Sequence, residues 1–171
     1  MQSELETIRE HLQRYRSVTL QLLDLVPEDA LHRHVAEGAR SFADLFMHIA
    51  QVEEFHITGL FQDRWDFGGV RPPADPPTRR RVQAELAATR SVTLDAIASL
   101  AEEDLTRSIA APGIPASWPL RSWLWYLVEH EIHHKAQITD RLVALGIDVP
   151  FWAFALPAGM RPDRRPQTHH G

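Results

Sequence analysis

The apolar residues of this chain recur every three or four positions, and that period decides what it can fold into. Leu5, Ile8, Leu12, Tyr15, Thr19, Leu22 and Val26 form one stripe down a helix that Pro27 ends. Ser41, with Asp44 three residues on, signals the capped start of a second helix reaching about Leu60, with an inner line of Leu45, His48, Val52 and Phe55. Residues 62–77 cannot continue it, because Gly68-Gly69 and the prolines at 72, 73, 76 and 77 break helices, so a long crossover loop is expected. A third helix is predicted from Thr78 to Leu100, inward at Val82, Leu86, Thr89, Thr93, Ala96 and Leu100. After Pro112, Gly113 and Pro115, a fourth begins at Pro119, a residue suited to a first turn, and stops at Gly146. Its line is Leu120, Leu124, Leu127, His130 or Glu131, His134, Ile138, Leu142 and Leu145. No segment alternates as a strand does, so the expected fold is all-α, a four-helix bundle with one long crossover.

The bundle is assigned to residues 1–150. Residues 151–171 form a C-terminal extension. The apolar, proline-broken run GIDVPFWAFALP is expected to pack across the bundle or against a second subunit, and the chain from Met160 to be disordered. An internal echo runs through the sequence: RSVTLQLLDLVPEDALHR (16–33) resembles RSVTLDAIASLAEEDLTR (90–107) at an offset of 74, and the second helix weakly echoes the fourth. A pseudo-twofold pair of helical halves is the expected reading.

Composition removes several function classes. There is no cysteine, which excludes disulfides, thiolate metal sites and a cysteine nucleophile from the protein itself, and suits a reducing, cytoplasmic setting. The net charge of −5 argues against a sequence-independent grip on nucleic acid. The arginines at 79–81 and 161–165 sit beside prolines and are expected to be solvated. No apolar run is long enough for a membrane span, and the acidic, polar N-terminus does not resemble a signal peptide.

Ten histidines are many for 171 residues. His11, His32, His34, His169 and His170 are expected at the surface or in the tail. His130 and His134, four apart on one helix, project about 40° from each other and one turn apart, so they can share one metal ion. His48 lies on the apolar line of another helix, where an imidazole must find partners for its nitrogens. Hydrogen-bonded core histidines and a metal centre are the two alternatives at this point. His130-Glu131-Ile132-His133-His134 also matches H-E-x-x-H of zinc proteases. No glutamate follows Glu131, however, and Gln137 stands where a turn-forming glycine would bring a third ligand back, so a protease is disfavoured.

Two stretches carry a family resemblance. Ser41-Phe42-Ala43-Asp44-Leu45-Phe46-Met47-His48 resembles the S-x-x-[DE]-x-x-x-H start of the second helix in the DinB/YfiT-like superfamily, and His130 through Ile138 resembles its H-E-x-H-H-[RK]-G-Q-[IL] signature. Leu145-Gly146-Ile147 resembles the end of its fourth helix. The likeness covers about residues 1–150. It implies a four-helix bundle of unusual connectivity, often a homodimer, with one divalent metal on three histidines, here His48, His130 and His134. It also implies thiol-dependent S-transferase or isomerase chemistry with a low-molecular-weight thiol such as bacillithiol, mycothiol or glutathione. Two positions depart from the pattern: Arg40 replaces a tryptophan and Ala136 a glycine.

Such a site is expected to hold zinc or nickel, with iron and copper as further candidates, and to keep a position vacant for a thiol that meets a small-molecule electrophile. A metal-hydroxide hydrolase of a small substrate and a non-catalytic metal-binding stress protein are the alternatives. Glu131 is read as a ligand-orienting or interhelical partner rather than a base. His133 is an outer partner or an interface residue, His56 an alternate ligand or a pocket or core residue, and Gln137 a substrate contact on the His130 face. Trp118, Trp123 and Trp125 are read as core or interface anchors. Ligating imidazoles must be unprotonated, so metal affinity is expected to fall as pH drops through roughly 6.

Overall fold

The computed structural model describes residues 2–34, 38–66 and 76–154. Four long helices dominate it: α1 (Glu4–Leu25), α2 (Phe42–Gln62), α3 (Arg79–Ala98) and α4 (Leu120–Ala144). Their starts follow local chemistry. Ser3 with Glu6 and Ser41 with Asp44 form reciprocal capping boxes, and the Thr78 hydroxyl accepts from the Arg81 amide. Pro119 occupies the cap position rather than the first turn, without a side-chain cap. Gly146, at φ +75°, ends α4 in the left-handed conformation that glycine adopts without cost. A two-residue antiparallel pair, β1 (Ser108–Ile109) with β2 (Trp118–Pro119), closes the loop before α4, where no strand is expected from the sequence.

Each helix packs on two others: α1 on α3 and α4, α2 on α3 and α4. Sequence neighbours α1 and α2 therefore lie across one diagonal, and α3 and α4 across the other. The C-terminal half of α1, the N-terminal halves of α2 and α3 and the C-terminal half of α4 build one apolar cluster around Phe42, Phe46, Leu22 and Leu86. The opposite halves build a second around Ile8, Leu12, Leu124 and Ile97. It follows that α1 and α4 run parallel, as do α2 and α3, while α2 and α4 run antiparallel. The end of α2 and the start of α3 lie at opposite ends of the bundle, which is what a long crossover requires. Its centre, with Gly68, Gly69, Pro72 and Pro73, lies outside the described residues.

A layer of buried polar residues divides the two clusters, and the apolar stripes do not foretell it. Arg16, Glu53, Arg90 and Glu131, one from each helix, are all at most 4% exposed. Arg16 pairs with Glu53 at 2.5 Å and Glu131 at 2.8 Å, and Arg90 with Glu53 at 2.7 Å and Glu131 at 2.6 Å. Two positive and two negative charges thus compensate within one dry layer, the condition under which buried ions are tolerated. The remaining guanidinium donors reach backbone: Arg16 to the Leu86 carbonyl and Arg90 to the Leu12 carbonyl. Burial alone would raise the Glu53 carboxyl, but Arg16 and Arg90 outweigh it and hold it down at about 2.

Several expectations change at the periphery. On α3 the inward residues are Val82, Leu86, Arg90, Thr93 and Ile97, while Thr89, Ala96 and Leu100 are half-buried. Arg79 is not solvated: it donates to the Leu23 and Val26 carbonyls and pairs with Glu28, tying α3 to the end of α1. The three tryptophans part company, with Trp123 buried, Trp118 half exposed and Trp125 donating to Glu4 at 3.2 Å. His11 is half-buried against Trp125, whereas His32 and His34 are exposed. Ile147, Val149 and Ala153 pack on the first apolar cluster, and Lys135 Nζ donates to the Ala153 carbonyl at 2.5 Å. The tail from residue 155, with Arg161–Arg165, His169 and His170, lies outside the described residues.

Candidate metal centre

The antiparallel seam between α2 and α4 brings His48, His130 and His134 together. One ring nitrogen from each lies within 4.8 Å of the others. Ring centroids are separated by 5.2 Å (His48–His130), 4.8 Å (His48–His134) and 4.4 Å (His130–His134). The spacing follows from helix geometry: the α4 pair stacks one turn apart, and His48 meets it at the edge of the buried face of α2. Of the two candidates for the inward place on α4, it is Glu131 that points into the core, at 1% exposed, while His130 faces the seam half-buried.

A local hydrogen bond sets the orientation of one of these rings. His134 Nδ1 lies 2.9 Å from Gln137 Oε1, which can only accept, so Nδ1 carries the proton and Nε2 presents its lone pair. Gln137 Nε2 in turn donates to His133 Nε2 at 2.9 Å. Gln137 thus holds the His134 ring from about one turn further along α4. His133 is exposed and serves as the outer partner of that amide. His134 Nε2 is 3.1 Å from His130 Nε2. Two nitrogens bound to one tetrahedral zinc at about 2.1 Å would be separated by roughly 3.4 Å, so the pair needs little movement to accept an ion.

Burial, with further lowering from Arg40 and His134, pushes His48 down to about 4. Burial and the neighbouring histidines push His130 down to about 3. Burial also lowers His134. Neutral imidazole is the form that can ligate a cation, and all three rings are shifted toward it. Proton competition at these rings moves below the value near 6 expected from an ordinary histidine.

His56 does not join the three. It is buried two turns along α2, with Nδ1 donating to the Val52 carbonyl at 2.7 Å. Glu131 acts between helices, accepting from Arg16 and Arg90. Those two arginines and Glu53 escape a reading by apolar stripes. The signal present in the sequence is that both arginines open the repeated RSVTL.

Comparison with known proteins agrees with this architecture. Residues 11–138 match the model of the DinB superfamily, and the chain belongs to that superfamily. A DinB-like protein from Bacillus subtilis is 22% identical with a TM-score of 0.68, over 85% of this chain and 97% of its own. One from Bacillus cereus is 19% identical with a TM-score of 0.68, over 85% and 95%. A DinB family member from Exiguobacterium sibiricum is 17% identical with a TM-score of 0.63, over 90% and 99%. At these identities the likeness is one of fold. No curated protein matches the sequence. Among the described residues no helix is long and apolar enough to cross a membrane.

Proposed function

We propose that this protein is a metal-dependent thiol S-transferase in which His48, His130 and His134 hold one divalent ion, zinc or nickel. The observation that carries the reading is the convergence of three imidazole nitrogens within 4.8 Å. When bound, the ion supplies a positive charge that lowers the pKa of a thiol at a position left vacant by three protein ligands. The chain supplies the rest. Gln137 fixes the His134 tautomer, and burial keeps the three rings neutral. With no cysteine in the chain, the sulfur comes from a low-molecular-weight cosubstrate. Its S–H proton and the leaving group of the electrophile depart together as acid, while sulfur bonds to the electrophilic carbon.

The test is consumption of 1-chloro-2,4-dinitrobenzene by metal-loaded protein with bacillithiol, mycothiol or glutathione, each against a thiol-free control. Turnover that requires a thiol and is lost in His48→Ala supports the reading. Hydrolysis of small esters without thiol would replace it with a metal-hydroxide hydrolase, and metal binding without either activity with a structural metal role.

A further inference from the structure

The polar layer repeats itself with reversed helices. Arg16 donates to the Leu86 carbonyl and Arg90 to the Leu12 carbonyl; the two arginines are 74 apart in sequence, and so are the two leucines. Each arginine also spans both glutamates, Glu53 and Glu131, which are 78 apart. The same two offsets exchange α1 with α3 and α2 with α4. They describe a twofold axis through the centre of the layer, perpendicular to the helices and to the α2–α4 seam. Applied to the metal centre, the exchange carries His134 to His56, His48 to Tyr126 and His130 to Val52. The counterpart pair is present: the His56 and Tyr126 rings are 4.9 Å apart, against 4.8 Å for His134 and His48. The two places lie side by side on one seam, since the Tyr126 ring is 5.8 Å from that of His130.

The counterpart has Val52 where the triad has His130 and Tyr126 where it has His48, so it cannot hold a metal as three imidazoles could. What it keeps is two polar groups on an aromatic floor. Phe55, Trp65 and Trp123 surround His56 at 5.3, 6.3 and 5.7 Å between centroids. Trp123 is buried, and Phe55, Trp65 and Tyr126 are partly exposed. The His56 Nδ1–H is spent on the Val52 carbonyl, which leaves Nε2 as an acceptor that hydrogen-bonds no described residue and is not among the fully buried polar atoms, so a ligand can reach it. The Tyr126 hydroxyl likewise has no hydrogen bond among the described residues. A reachable acceptor beside uncharged rings suits a neutral ligand with a flat apolar body and one hydrogen-bond donor.

We propose that His56 and Tyr126 form an organic-ligand subsite beside the metal centre, taking a neutral aromatic compound that carries a hydroxyl or N–H donor. Its role as the acceptor pocket rests on the transferase reading above, whereas the binding itself does not. Fluorine NMR titration of 4-fluorophenol against 4-fluoroanisole tests it, since the two share a ring and differ in the donor. The phenol should bind saturably and up to about tenfold more tightly, the worth of one hydrogen bond. Tyr126→Phe and His56→Phe, which keep the rings, should each narrow that preference, and the partly exposed Tyr126 alone decides if His56→Phe does not fold. Absence of saturable binding, equal affinities, or a preference retained in every folded variant overturns the proposal. Metal content measured on the same samples is a separate readout. Its absence would end the metal reading and leave the phenol preference to be judged alone.

Discussion

Thr19 and Thr93 sit 74 residues apart in the same buried layer with different chemistry. The Thr93 hydroxyl donates to Glu53 Oε1 at 2.6 Å, while Thr19 Oγ1 is buried with no partner among the described residues. A lost partner exposes the full desolvation cost of the group left behind, whereas an orphan hydroxyl has no bond to lose. Thr93→Val should therefore cost about 1–3 kcal/mol in urea unfolding, and Thr19→Val should be neutral or stabilising. Equal costs at the two positions would contradict this account of the layer. At the same scale, the histidine cluster was legible because an i, i+4 pair and an inward His48 have few ways to satisfy their nitrogens. Arg16 and Arg90 were not, since arginine is ordinarily exposed and only four mutually compensating charges make its burial tolerable.

Helix α2 shows how one element carries structure and site together. Asp63 at its end adopts φ +51°, its amide reaching the Gly59 and Thr58 carbonyls, and the chain turns back so that Trp65 lies over Gly59. A Cβ on Gly59 would stand 2.3 Å from the Trp65 ring. Alanine normally gains about 1 kcal/mol over glycine inside a helix. Here Gly59→Ala should destabilise instead and displace Trp65, read as a lower unfolding midpoint with altered near-ultraviolet circular dichroism. A gain in stability with an unchanged spectrum would refute that packing. The element boundaries were readable because Ser41 with Asp44, Thr78 and Gly146 act locally. The β1–β2 pair was not, because two residues carry no period.

Over the whole molecule, the diagonal placement of α1 against α2 could not be read from stripes, which show that a face is buried but not which helix covers it. The arrangement has a consequence for pH. His48 and His130 are held at about 4 and about 3, below the ordinary histidine value of 6.5, so between those limits the unfolded chain binds more protons than the fold. Stability of the metal-free protein is fully present above about 6.5 and declines as pH falls toward 4. Thermal unfolding midpoints from pH 7 to pH 4.5 should show that decline, reduced in His48→Ala, and a flat profile would contradict it. Glu53, at about 2, adds its own loss only at more acidic pH.

The most direct measurement is metal stoichiometry by plasma mass spectrometry on purified wild-type protein, His48→Ala and His130→Ala. One equivalent of a divalent ion in the wild type, lost in both variants, is what a cation shared across the α2–α4 seam predicts. Equal metal in all three proteins, or none in wild type dialysed against zinc and nickel, would contradict it.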